Sequence, residues 1–292
     1  MNSNVWRWYL AAFVAVAQYY FVSAAGAVPN GTVYSALGAT AVVAMVAGIA
    51  IHRPLHTMAW AFAAISLVLF LAGDYVYANL AASQAFVSFP STADWLYLAM
   101  YPVLALGIAV LVRRLAPHRS WKAAGWGIAF ALAAAGVLHF LYMGDYIAEP
   151  LFDTKMRAVA VAYPVLDAVM FGVAAWLLVI ARRQSPSLVM VALGLVSMVV
   201  GNAIYNVQSI DGSFGSGGLA DLFWIMFAAL FGLACLHPSM KSTALSAPLG
   251  ELGGHAVVAS ESALAETERL VRLDLPAMSE TAYSSVESNT QV

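Results

Sequence analysis

Charge is the scarcest commodity in this sequence. Only 10% of the 292 residues are Asp, Glu, Lys or Arg, against 62% hydrophobic, too few polar side chains to cover a soluble globule of this size. Cysteine occurs once, at Cys235, which excludes an internal disulfide and a multi-thiolate metal centre. No basic cluster is present that could neutralise a phosphate backbone, so a nucleic-acid partner is excluded. Catalytic motifs are missing as well. There is no Gly-x-Ser-x-Gly or His-Glu-x-x-His, and the glycine-rich run Gly212 to Gly218 has neither dinucleotide nor P-loop spacing. His52 and His56 stand four apart, but Pro54 between them opposes the helix a metal pair would need. No enzymatic activity, cofactor or metal is expected.

What the sequence has is long apolar runs. A helix crosses the hydrocarbon core with about 20 apolar residues, and such stretches recur at 5–27, 31–51, 57–80, 93–112, 122–143, 157–180, 187–209 and 219–237. Runs such as Ala39 to Ile51 do not alternate, which excludes membrane β-strands. The expected fold is therefore an all-α polytopic membrane protein of about eight transmembrane helices over 1–240. Arg53, Arg113, Arg114, Arg119, Lys122, Arg182, Arg183 and Lys241 fall in one set of loops, and the acids before the tail fall in the other set or within spans. The positive-inside rule then places both termini in the cytoplasm, and the plasma membrane is the expected location. Lys155 and Arg157 oppose that assignment. Ala25-Gly26-Ala27 resembles a signal-peptide cleavage site, but the first run is long enough to be a retained span.

A faint internal repeat is present. Gly73-Asp74-x-x-Tyr77 followed by Ala93-Asp94-Trp95-Leu96-Tyr97 matches Gly201-Asn202-x-x-Tyr205 followed by Ala220-Asp221-Leu222-Phe223-Trp224, as two parallel repeats of four helices would. Tyr101-Pro102 and Tyr163-Pro164 echo each other at a different phase. Ionisable groups inside spans are costly and point to function. Helical spacing puts Asp94, Tyr97 and Tyr101 on one face, and likewise Asn202, Tyr205, Asn206 and Ser209; His139 with Tyr142; Asp74 with Tyr77; Tyr163 with Asp167; and Asp221 with Trp224. All lie in the outer half of the expected bundle, and all but Tyr142, Tyr205 and Ser209 form the candidate ligand site, with Asp167 deepest. Aromatic-belt tyrosines, helix caps at Asp94 and Asp221, and a satisfied core histidine at His139 are the structural alternatives.

From Lys241 the composition turns to Ser, Ala and Glu, the mark of a mostly disordered acidic cytoplasmic tail, 241–292, in which Ser260 to Leu275 reads as a short helix. Three segments carry a family resemblance: Pro90-Ser91-Thr92-Ala93-Asp94-Trp95-Leu96-Tyr97-Leu98-Ala99-Met100-Tyr101-Pro102, then Tyr163-Pro164-Val165-Leu166-Asp167, then Leu219-Ala220-Asp221-Leu222-Phe223-Trp224 running to Leu236-His237-Pro238-Ser239-Met240. Over 1–240 the chain resembles the multi-span region that precedes GGDEF and EAL domains in actinobacterial cyclic-di-GMP signalling proteins. The resemblance implies a sensory or regulatory input without the catalytic domains; the outer polar cluster adds the expectation of a small ligand or a proton taken from the outer side and reported to a cytoplasmic partner. A small proton-coupled carrier and a structural membrane subunit are the rival expectations.

Overall fold

The computed structural model describes residues 4–24, 31–84, 87–115, 121–181 and 185–244. The tail expectations, including the helix at Ser260 to Leu275, lie outside the described residues.

All regular structure among the described residues is helical. The elements are α1 (Val5–Ala24), α2 (Gly31–His52), α3 (Thr57–Ser83), α4 (Thr92–Leu115), α5 (Trp121–Leu138), a π turn (His139–Met143), α6 (Gly144–Ala148), α7 (Thr154–Ala181), α8 (Pro186–Ile210), α9 (Leu219–Leu236) and a closing 3₁₀ turn (Pro238–Ala244). Seven helical stretches, α2, α3, α4, α5 through α6, α7, α8 and α9, are long and apolar enough to cross a membrane. A helix satisfies its backbone groups internally, as lipid demands. The eighth expected span, α1, is a 20-residue helix outside that set, because Arg7 and the Gln18-Tyr19-Tyr20 interruption dilute its apolar content.

Side chains sort by environment. Met45, Trp60, Leu67, Met100, Leu104, Leu195, Met198, Phe227 and Phe231 fill a continuous interior. Val43, Leu132 and Phe140 point outward, as lipid-facing residues do. Close helix contact relies on small residues, the device membrane bundles use in place of a hydrophobic drive. A Cβ at Gly48 of α2 would stand 2.2 Å from the Cys235 carbonyl oxygen of α9, and one at Gly172 of α7 would stand 2.5 Å from the Gly127 carbonyl oxygen of α5.

The expected fifth span, 122–143, is longer than its apolar run suggests. The helix passes through the π turn and ends at Ala148. Pro102 and Pro164 lie inside continuous α4 and α7. The two bases that opposed the expected orientation have local partners. Arg157 donates to the Glu149 and Phe152 carbonyls, both at 3.0 Å, and Lys155 lies over the Trp95 ring at 5.8 Å.

Candidate functional site

The site grows from one recurring unit, an acid on one helix accepting a tyrosine hydroxyl from another. Tyr97 of α4 donates to Asp74 of α3 at 2.7 Å. Tyr163 of α7 donates to Asp94 of α4 at 2.8 Å, and Tyr101 of α4 donates to Asp167 of α7 at 2.7 Å. The two Tyr-Pro echoes are thus reciprocal, since each tyrosine crosses to the acid of the other helix. Tyr20 of α1 donates to Asp221 of α9 at 2.7 Å. Four acids join α1, α3, α4, α7 and α9, from the starts of α4 and α9 to the middle of α7.

Asn202 of α8 connects the pairs. Its amide nitrogen donates to Asp167 Oδ1 at 2.9 Å and to the Tyr101 hydroxyl at 3.0 Å, and its oxygen accepts from Trp224 Nε1 of α9 at 2.9 Å. Asn206 donates to the Asn202 carbonyl at 2.7 Å and accepts from the Tyr146 hydroxyl of α6 at 2.8 Å. Such networks hold their helices in one arrangement only when their members are satisfied.

Two glycines let the aromatics in. A Cβ at Gly73 would fall 2.5 Å from the Tyr97 ring, and one at Gly201 would fall 2.8 Å from the Trp224 ring. In each hairpin a glycine therefore seats an aromatic ring from the next helix, and the polar residue after the glycine, Asp74 or Asn202, accepts its hydrogen bond. These are the repeated positions of the sequence. The helix starts also correspond. Asp94 accepts from the Ser91 backbone N–H and Asp221 from the Gly217 backbone N–H, both at 2.6 Å, so each acid complements its helix N-terminus while also holding a tyrosine.

Asp167 is the exceptional member. It is fully buried, and because α7 begins at Thr154 it lies about 20 Å along that helix at 1.5 Å per residue. Its partners, Tyr101 and Asn202, are both neutral, and its second oxygen, Oδ2, is buried without a hydrogen-bond partner, as is Asp74 Oδ2. An isolated buried carboxylate is costly, so such a group is a functional candidate by default.

Not every expected residue belongs. Tyr77 is 44% exposed and does not share the inward face with Asp74. His139 is exposed whereas Tyr142 is fully buried, contrary to their expected common face, because the π turn widens the helix between them and changes the angular spacing. The other expected residues, Asp74, Asp94, Tyr97, Tyr101, Tyr163, Asp167, Asn202, Asn206, Asp221 and Trp224, all engage in the bonds above. Sequence reasoning missed Tyr20 and Tyr146, whose only signal was a tyrosine near an outer helix end. No group of three or more His, Cys, Asp or Glu side chains able to hold a metal occurs among the described residues.

A second polar knot sits where α9 ends and α8 begins. The Ser239 hydroxyl meets Ser185 Oγ at 3.2 Å, Ser187 Oγ at 2.8 Å, the Ser187 N–H at 2.9 Å and His237 Nδ1 at 2.8 Å. The Trp6 ring lies tilted against His237 with centroids 5.1 Å apart, and His52 Nε2 meets the Leu236 carbonyl at 2.9 Å. The His-Pro-Ser-Met sequence thus fastens the last helix to its neighbours, with Met240 fully buried. Burial, followed by the nearby His52, holds the His237 imidazole below its ordinary value of 6.5.

Fold and site together define a chain whose described residues form only helices, seven stretches of which are long and apolar enough to span a membrane, tied together by a buried Asp–Tyr–Asn network. Comparison with family models, curated proteins and solved structures finds no match.

Proposed function

We propose that this chain is a sensory or regulatory membrane module whose outer polar network responds to a small ligand or to protonation and alters helix packing that the cytoplasmic end reports. The observation that carries it is Asp167, fully buried, tied to two other helices, with one carboxylate oxygen unpartnered. A change of charge or partner there acts directly on the α4–α7–α8 contact. Support also comes from the resemblance to the membrane regions of cyclic-di-GMP signalling proteins. In the proposed arrangement α1 is the eighth span, the termini are cytoplasmic, the membrane is the plasma membrane, and the matching Gly73 and Gly201 hairpins descend from a duplicated four-helix unit. The output comes from a cytoplasmic signalling partner.

The test is a thermal-shift screen of purified protein across small ligands and pH, with Asp167→Asn and Tyr163→Phe as controls. A stabilising ligand whose effect survives both changes would remove this network from the proposal. A proton-coupled carrier is the second reading, favoured by the acid lying about 20 Å along its helix. Proton or solute flux in liposomes that vanishes in Asp167→Asn would select it. A partner-only subunit predicts no ligand response and no flux, with co-purification of its partner.

A further inference from the structure

Two polar atoms of the interior lack partners: Asp167 Oδ2 and the Tyr142 hydroxyl. Both residues have no exposed surface. Tyr142 packs in a small cluster with Ala168, the chain neighbour of Asp167, and with Ala203, the neighbour of Asn202. It lies within electrostatic reach of the Asp167 carboxylate. Tyr142 is brought there by the π turn, in which the Gly144 N–H bonds the His139 carbonyl five residues back. A Cβ at Gly144 would lie 3.1 Å from that same oxygen, so the tight turn suits glycine. Such π turns inside α-helices are rare and concentrate at functional sites.

Orphan polar atoms on residues that pack this closely in sequence and cluster are what an internal water satisfies, since it needs two to four polar partners. Resting on the outer network as the responsive site, we infer that Tyr142 Oη and Asp167 Oδ2 share one internal water molecule, and that the ligand of this network is the proton. With Asp167 ionised, the tyrosine donates to the water and the water donates to Oδ2. Uptake of one proton from the outer aqueous phase leaves it on Oδ2, which then donates to the water, and the water donates on to the phenol oxygen. The carboxyl changes from acceptor to donor on that side, while Oδ1 keeps Tyr101 and Asn202. The outward route follows α6, where the half-buried Tyr146 ring lies 5.8 Å edge-on from Tyr142 and its hydroxyl reaches half-buried Asn206. The titratable groups facing Asp167 are Tyr101 on α4, Tyr142 on the π turn and Tyr163 on its own helix, the last held by Asp94. No basic side chain is among its partners.

Infrared difference spectroscopy of the full chain in lipid, between mildly acidic and mildly alkaline buffer, tests this. Wild type is expected to show a buried carboxylic-acid carbonyl stretch together with an internal-water O–H stretch that shifts in oxygen-18 water. Asp167→Asn is expected to lose both bands, and Tyr142→Phe to lose the water band and shift the carbonyl band. A wild-type spectrum without an oxygen-18-sensitive band overturns the shared water whether or not the variants fold. A carbonyl band that persists unchanged in Asp167→Asn, or a Tyr142→Phe spectrum identical to wild type, overturns it too. If these bands appear as expected but neither ligand nor pH shifts thermal stability, the sensory proposal fails and the proton site stands.

Discussion

Replacing Asp167 with alanine and with asparagine separates its hydrogen-bonding role from its charge. Alanine removes the acceptor of two interhelical bonds, from Tyr101 at 2.7 Å and Asn202 at 2.9 Å. Interhelical hydrogen bonds in membranes average about 0.6 kcal/mol and reach about 1.7, so losing both costs about 1–3 kcal/mol. The Tyr101 hydroxyl and the Asn202 amide keep each other at 3.0 Å, which holds the loss toward the lower end. Asparagine retains an oxygen where Oδ1 lies and is expected within about 1 kcal/mol of wild type, since an isosteric partner leaves neither donor orphaned. Equilibrium unfolding in mixed micelles of increasing denaturing-detergent fraction, followed by far-UV circular dichroism, measures both. Equal stability of the alanine and asparagine variants would refute Asp167 Oδ1 as the acceptor that joins α4, α7 and α8.

Gly48→Ala is expected to destabilise by about 1–3 kcal/mol in the same assay, the usual cost of overpacking, because its Cβ meets backbone of α9 at 2.2 Å rather than a flexible side-chain tip; no loss would mean that α2 and α9 part freely. Ser239→Ala removes the hydroxyl shared by Ser185, Ser187 and His237 and is expected to speed trypsin cleavage after exposed Lys241, with unchanged digestion counting against a fastening role. The same knot is expected to weaken in acid. The Ser239 N–H donates to His237 Nδ1, which requires the neutral ring, and the folded-state value lies below the ordinary 6.5. Above 6.5 the ring is neutral folded and unfolded. As the pH falls below it the unfolded chain takes the proton first, so stability declines until the lowered folded value is passed. Trypsin cleavage after Lys241 that does not accelerate over that window, or that accelerates equally in His237→Gln, would contradict this.

Helix positions were legible because lipid leaves one backbone solution, and apolar run length reports it directly. Boundaries were less so. The run at 122–143 reads as one span of ordinary length, since nothing in His139-Phe140-Leu141-Tyr142-Met143 announces a π turn, and the structure carries the helix on to Ala148. Helical spacing correctly grouped Asp94, Tyr97 and Tyr101 because α4 is regular there, and it failed for His139 with Tyr142 because the period changes locally. Spacing also says which residues share a face but not which helix that face meets. Hence Tyr20 as the partner of Asp221, and the crossing of Tyr101 to Asp167 and Tyr163 to Asp94, required tertiary structure. The His-Pro-Ser-Met segment was visible as a motif, but its Ser239 hub depends on Ser185 and Ser187, more than fifty residues away.

The two glycine-seated aromatics differ in one chemical respect. In the α3–α4 hairpin the acceptor is a carboxyl, Asp74; in the α8–α9 hairpin it is an amide, Asn202. An amide is neutral at every physiological pH, so the acceptor of the Trp224 clasp has no charge change of its own, whereas the Tyr97 clasp has two charge states available to it. The bundle therefore contains a corresponding pair of joints, one with an uncharged acceptor and one with an ionisable acceptor. Exchanging the two acceptors, Asp74→Asn with Asn202→Asp, is expected to transfer the ionisable acceptor from one hairpin to the other.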